Sequence, residues 1–159
     1  MKIYLAGSIS GGRDFADGLK AINDSLIRMG HEVLTPFVVD EEINKTRFPD
    51  LTGVDRSTAI FEEDLRLIEE SEAVIAEVSR TSTGVGMELG YLVGLARIKG
   101  LEKPTLLLRH HSLGGSRTSN LLVGNPYAKF LYYSPDNVND LIQEFFTEIE
   151  EGKIRRETE

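Results

Sequence analysis

Glu77-Val78-Ser79-Arg80-Thr81-Ser82-Thr83-Gly84-Val85-Gly86-Met87-Glu88-Leu89-Gly90 reads as the end of a strand, a turn rich in hydroxyls and glycine, and the start of a helix. One carboxylate, Glu88, is expected in that helix's first turn. The run Ala73-Val74-Ile75-Ala76 before it is short, apolar and partly β-branched, the pattern of a central parallel strand covered on both faces. Open α/β sheets bind ligands in loops leaving the carboxyl ends of such strands, which places candidate chemistry between Ser82 and Glu88. A glutamate inside so apolar a helix is costly unless something uses it.

Upstream, Lys2 to Ala6 makes a first strand, closed by Gly7-Ser8-Ile9-Ser10-Gly11-Gly12-Arg13. Phe15, Leu19, Ile22, Leu26, Ile27 and Met29 then mark an amphipathic helix, so the turn forms either a nest of backbone N–H groups for a phosphate or a plain β–α connection. It fits neither the dinucleotide fingerprint nor the P-loop. Gly30 caps the helix, with His31 expected at the surface beside it, and His31 to Thr35 is a second strand stopped by Pro36. Pro36 to Asp55 loses periodicity and reads as either a functional loop or a segment packed on the core through Phe37, Val38, Phe48 and Leu51.

A further helix is expected from Ser57 or Thr58, with Glu62, Glu63 and Asp64 in its early turns. Glu62 and Glu63 are assigned to solvation and favourable pairing with the helix dipole. Asp64 borders the apolar face and is expected to look inward, where it and Glu88 can divide acid and nucleophile roles. Downstream come a fourth strand, Thr105 to Leu108, a segment from Arg109 to Asn120 rich in anion-binding groups, a fifth strand, Phe130 to Tyr133, and a helix from Asn137 to Ile149. His110 and His111 are adjacent, so on a strand they point to opposite faces and make a poor metal pair. The alternation implies a single α/β domain over residues 1–149: a Rossmann-like (flavodoxin-like) parallel sheet of about five strands with helices on both faces. Residues 150–159 form a charged tail.

Composition narrows the classes of function. The 159 residues are 40% hydrophobic, enough for one buried core. A net charge of -8 argues against binding nucleic-acid polymers, so an anionic small ligand must be held locally. The absence of cysteine removes disulfides and thiolate metal sites. No stretch is long and apolar enough for a signal peptide or a membrane span, which suggests a cytoplasmic location without a membrane partner.

Tyr4-Leu5-Ala6-Gly7-Ser8-Ile9, Glu63-Asp64-Leu65 and Ala76-Glu77-Val78 with the Ser82 to Gly90 run resemble the nucleoside 2-deoxyribosyltransferase superfamily. Within it, Gly7 to Arg13 and Ser82 to Gly90 are most similar to the 2'-deoxynucleoside 5'-phosphate N-hydrolase branch. The resemblance implies catalysis by Glu88 as nucleophile, Asp64 as the second acid and Tyr4 as the hydroxyl that holds the nucleophile. It implies phosphate binding by Ser8, Gly11, Gly12 and Arg13, by Ser82 with Gly84 and Gly86, and by Ser119 contributed across a homodimer interface. The substrate is then a small deoxynucleotide, handled without metal or cofactor. The chain departs from the hydrolase pattern at Ser10, where arginine is common, and Arg13, Arg80, Arg109 and Arg117 are candidate replacements. Two alternatives remain at this stage: a deoxyribosyltransferase exchanging bases, and a non-catalytic nucleotide-binding module. The segment Pro36 to Asp55 is expected to line the base pocket.

Overall fold

Five strands, β1 (Lys2–Ala6), β2 (Glu32–Val33), β3 (Ala73–Glu77), β4 (Thr105–His110) and β5 (Lys129–Tyr133), form one parallel sheet in the order β2-β1-β3-β4-β5. The computed structural model describes residues 1–9, 14–114 and 118–154. The strand order is that of the flavodoxin-like fold, whose ligand crevice opens where the connections switch sides, between β1 and β3. Every residue of β3 is buried, which explains its unbroken apolar run. Tyr4 of β1 pairs with Val74, and Ala76 with Leu107.

Helices cover both faces. α1 (Ala16–Arg28) packs against α6 (Val138–Glu150), and α3 (Gly53–Glu70) against α4 (Thr83–Gly94). Two shorter helices, α2 (Glu41–Lys45) and α5 (Asn120–Val123), flank the site described below. Ile3, Leu5, Ile22, Leu26, Ile75, Leu106, Leu107, Leu108, Ile142 and Phe145 are fully buried between the layers. α1 ends as its sequence indicates: Gly30 takes a left-handed φ of 80°, and the His31 N–H donates to the Leu26 carbonyl at 3.1 Å. His31 stacks on Phe146, with ring centroids 4.0 Å apart.

Several boundaries differ from the sequence expectation. β2 is only Glu32–Val33, because Pro36 opens a 3-10 turn instead of ending a longer strand. Buried Thr35 takes over the pairing there, its Oγ1 accepting from Leu5 N–H at 3.1 Å and donating to the Leu5 carbonyl at 2.7 Å. The segment after Pro36 is not irregular: it contains α2, capped by the Asp40 carboxylate, and α3 begins at Gly53, ahead of Ser57. Glu62, Glu63 and Asp64 therefore lie in mid-helix, where the dipole argument does not apply, and Glu63 is ion-paired to Arg47. Glu88 is the sixth residue of α4, in its second turn and not its first. β4 runs on to His110, so Arg109 is a buried strand residue. His111 starts a 3-10 turn, which ends the strand alternation, and the two imidazoles lie 4.9 Å apart on one side. The tail residues 155–159 lie outside the described residues.

One close approach fixes a residue choice. A Cβ built on Gly18 of α1 would collide with the Tyr133 hydroxyl of β5, which reaches past the helix to the buried Glu77 carboxylate at 3.1 Å. Gly18→Ala is expected to destabilise the protein by about 1–3 kcal/mol in urea unfolding. The cost should shrink when Tyr133→Phe removes the colliding oxygen; equal costs in both backgrounds would contradict the contact.

Candidate active site

Strand β1, helix α3 and the amino-terminal half of α4 bring three titratable side chains together. Tyr4 is buried on β1 beside the Glu88 side chain, whose Oε2 is buried and without a hydrogen-bond partner among the described residues. A half-buried Asp64 on α3 completes the group electrostatically. Burial pushes the Glu88 carboxyl up to about 7, with the neighbouring Asp64 charge adding to the rise and the Tyr4 hydroxyl and Arg47 opposing it. Desolvation also raises Asp64, against the pull of Arg47, and raises Tyr4, which stays a hydroxyl donor. One carboxylate poised near neutrality beside a second in a different environment is the arrangement acid–nucleophile chemistry needs.

Arg47 is the residue that sequence reasoning missed. It sits between α2 and α3, buried, with its guanidinium 3.6 Å from the centre of the Phe37 ring. Its Nη2 donates to Asp64 at 2.5 Å and to Glu63 at 2.7 Å. No periodicity marks this position, because the segment carrying it has none. Glu77 was also missed as a structural group. Its Oε1 accepts from Ser79 N–H at 3.2 Å, from the Ser79 hydroxyl and from Tyr133 Oη. The Ser79 oxygen in turn accepts from His110 N–H at 2.7 Å, so β3, β4 and β5 are tied together beneath the turn that carries Ser82.

Ser82 is the N-cap of α4, accepting from Val85 N–H at 3.4 Å. Gly84 and Gly86 follow in its first turns, and a Cβ added to Gly86 would meet no atom within 4 Å, so the backbone there is open to a ligand. Ser8 Oγ is buried without a hydrogen-bond partner among the described residues, and Ser8 lines a small cavity with Phe15, Glu77 and Arg80. Gly11, Gly12 and Arg13 lie outside the described residues, as do Ser10 and Arg117. Ser119 is exposed at the start of α5, on a groove of about 550 Å³ whose lining includes Ser82, Arg80 and Arg109 of the same chain. α4 presents Val85, Gly86, Leu89 and Gly90 to this groove, and helical spacing puts Glu88 on its other side. The structure thus gathers Tyr4, Asp64 and Glu88 into one cluster, and Ser82 with Ser119 along a separate groove, with Arg80 lining both the groove and the Ser8 cavity.

Comparison with known proteins identifies the family. The model of the family described as nucleoside 2-deoxyribosyltransferase matches residues 3–115, more than half of the chain. The chain belongs to the nucleoside 2-deoxyribosyltransferase family. A Nematostella vectensis member, provisionally named 2'-deoxynucleoside 5'-phosphate N-hydrolase 1, is 36% identical over 152 residues, covering 93% of this chain and 95% of the relative. A Tetraodon nigroviridis protein named 5-hydroxymethyl-dUMP N-hydrolase is 31% identical over 149 residues, covering 92% and 98%. Among solved structures, a 2-deoxyribosyltransferase from Bacillus psychrosaccharolyticus superposes with a TM-score of 0.62 at 22% identity, covering 89% of this chain and 90% of its own, a likeness of fold. No helix among the described residues is long and apolar enough to cross a membrane.

The raised Glu88 has a consequence for stability in this member of the deoxyribosyltransferase family. Its folded value of about 7 exceeds the unfolded 4.5, so the folded state holds an extra proton between them and stability falls as pH rises through that window. Glu88→Gln is therefore expected to be more stable than the parent by about 3 kcal/mol at pH 8, with the advantage gone below pH 4.5. Denaturant midpoints across pH would show it, and a gap independent of pH would contradict it.

Proposed function

We propose that this chain hydrolyses the N-glycosidic bond of 2'-deoxynucleoside 5'-monophosphates, releasing the free base and 2-deoxyribose 5-phosphate. The observation that carries this reading is the pairing of buried Tyr4 with Glu88, whose Oε2 is enclosed, beside Asp64 at the crevice where the sheet's connections switch sides. In the first step a Glu88 carboxylate oxygen forms a bond to the anomeric carbon as the bond from that carbon to the base nitrogen breaks. The electron pair leaves with the base, which takes a proton from Asp64. In the second step water attacks the same carbon, gives a proton to Asp64 and releases Glu88. Tyr4 donates to Glu88 throughout, holding the oxygen that attacks and limiting the rotamers it can take.

The phosphate falls to the amino end of α4 and to the first turn. Ser82 lies six residues before Glu88, about 9 Å along the helix axis, a span that a sugar 5-phosphate bridges when both side chains reach toward it. Helix N-termini favour anions, and the Ser8 hydroxyl, unpartnered among the described residues, supplies a further donor, to which the family resemblance adds Gly11, Gly12 and Arg13. Ser119 serves a second copy of the chain in a homodimer. The exposed Leu121 and Val123 beside it give that interface its apolar surface.

The family's name favours a second reading, in which the same glycosyl-enzyme passes the sugar to another base. Chromatography of each deoxynucleoside monophosphate and its nucleoside, with and without a second free base, separates the two. Base release from monophosphates alone, unaffected by the acceptor, is expected; exchange that needs the acceptor and ignores the phosphate would make the chain a transferase. Glu88→Ala should abolish turnover and leave nucleotide binding largely intact, whereas parental rates would remove Glu88 from the mechanism. Ser82→Ala should weaken monophosphates by about 10- to 100-fold and spare nucleosides; equal losses would remove Ser82 from the phosphate site.

A further inference from the structure

The described residues facing the Asp64 carboxyl are few. Arg47 approaches from the connection between α2 and α3, Glu88 from α4, Tyr4 from β1, and Glu63 is its neighbour on α3. Arg47 is the one cation among them, and the fold spends several contacts on holding it there. Phe37, itself buried against the core, supports the face of the guanidinium. Arg56 of α3 donates from Nε to the Arg47 carbonyl at 3.0 Å and from Nη2 to the Asn44 carbonyl at 3.2 Å, clamping the connection to the helix that carries Asp64. Phe48, next in the chain, has a φ of 52° and is the one non-glycine residue with positive φ among the described residues. Such a conformation is costly for an aromatic residue and persists only where surrounding contacts impose it.

We propose that Arg47 is the positioning residue that fixes the orientation and the charge of Asp64, and that Glu63 tunes it by sharing the same guanidinium. The assignment rests on the reading of Asp64 as the group that protonates the departing base. A guanidinium locks a carboxylate in plane and favours its anion, whereas base departure needs the acid. Arg47 thus sets the pH at which Asp64 gives up its proton, and Glu63 draws part of that charge away. A cation bound to both carboxylates lets Asp64 stay a usable acid in a buried site without leaving it unpaired.

The opposing signs make the proposal testable. Arg47→Met removes the charge while keeping an unbranched side chain on Phe37, and Glu63→Gln removes the competitor and leaves Arg47 to Asp64 alone. Side-chain carboxyl carbon NMR titrations, with Asp64 assigned through Asp64→Asn, are expected to move upward by about one pH unit or more in Arg47→Met and downward in Glu63→Gln. The basic limb of the kcat/KM profile for a deoxynucleoside monophosphate should move the same way in each. Arg47→Lys, which keeps a charge but loses the fork, should hold the limb near its parental pH while lowering kcat. A purely structural role would lower rates with every limb and midpoint in place, and that result overturns the proposal. If Arg47→Met does not fold, Glu63→Gln and Arg47→Lys still decide it, because Glu63→Gln is expected to shift the midpoint and Arg47→Lys to keep it. Base exchange that needs an acceptor and ignores the phosphate would instead defeat the hydrolase reading itself, while the NMR midpoints would still report on Arg47.

Discussion

The placing of the Tyr4 side chain against Glu88 is the constraint on which the site turns. It joins the middle of a central strand to the second turn of a helix that the chain reaches some eighty residues later, with Tyr4 buried and Glu88 partly so. A carboxylate in that setting costs free energy unless something stabilises its charge, and a lone hydroxyl only partly does so. Glu88 is therefore held near the midpoint of its titration at neutral pH, with one oxygen unpartnered and available. Buried polar groups without partners are rare in folded proteins and concentrate where chemistry is done.

The rest of the sheet edge keeps that arrangement rigid. The completely buried β3 ends in Glu77, whose carboxylate is satisfied by Ser79 and Tyr133 instead of by solvent. Through Ser79 the network reaches the backbone of His110, and through Tyr133 it requires glycine at position 18 of the first helix. The turn bearing Ser82 thus leaves a fixed platform. On the opposite side of the cleft the connection between α2 and α3 delivers Arg47 to Asp64, so each acid has its own fixed partner: a neutral hydroxyl for Glu88, a cation for Asp64. Two carboxylates with unlike partners can hold different protonation states in one site.

The parallel sheet and its order of elements were legible in the chain because β1, β3 and β4 are apolar runs bounded by turn residues, and because α1 and α6 carry clean amphipathic periods. Tyr4, Asp64 and Glu88, picked out by resemblance, do come together in space. What escaped was the material whose structure comes from tertiary contact. α3 starts early because Gly53 and the Arg56 clamp, not an amphipathic repeat, define its first turns. The segment around Arg47 has no period, and a single arginine in a charged stretch gives no sign that it will be buried on an aromatic ring. Glu77 looked like the polar end of a strand, and only the approach of Tyr133 from β5 makes it a buried hub. The two imidazoles meet, instead of pointing to opposite faces, because strand geometry stops between the two residues.

The central claim is that Glu88 bonds covalently to the sugar, and rapid acid quenching of the enzyme with a deoxynucleoside monophosphate, followed by peptide mass mapping, tests it most directly. The account expects a 2-deoxyribose 5-phosphate adduct on the peptide containing Glu88, formed at least as fast as turnover and absent in Glu88→Gln. Base release at the full rate with the Glu88 peptide unmodified at every quench time, or with the adduct on another residue, would contradict it.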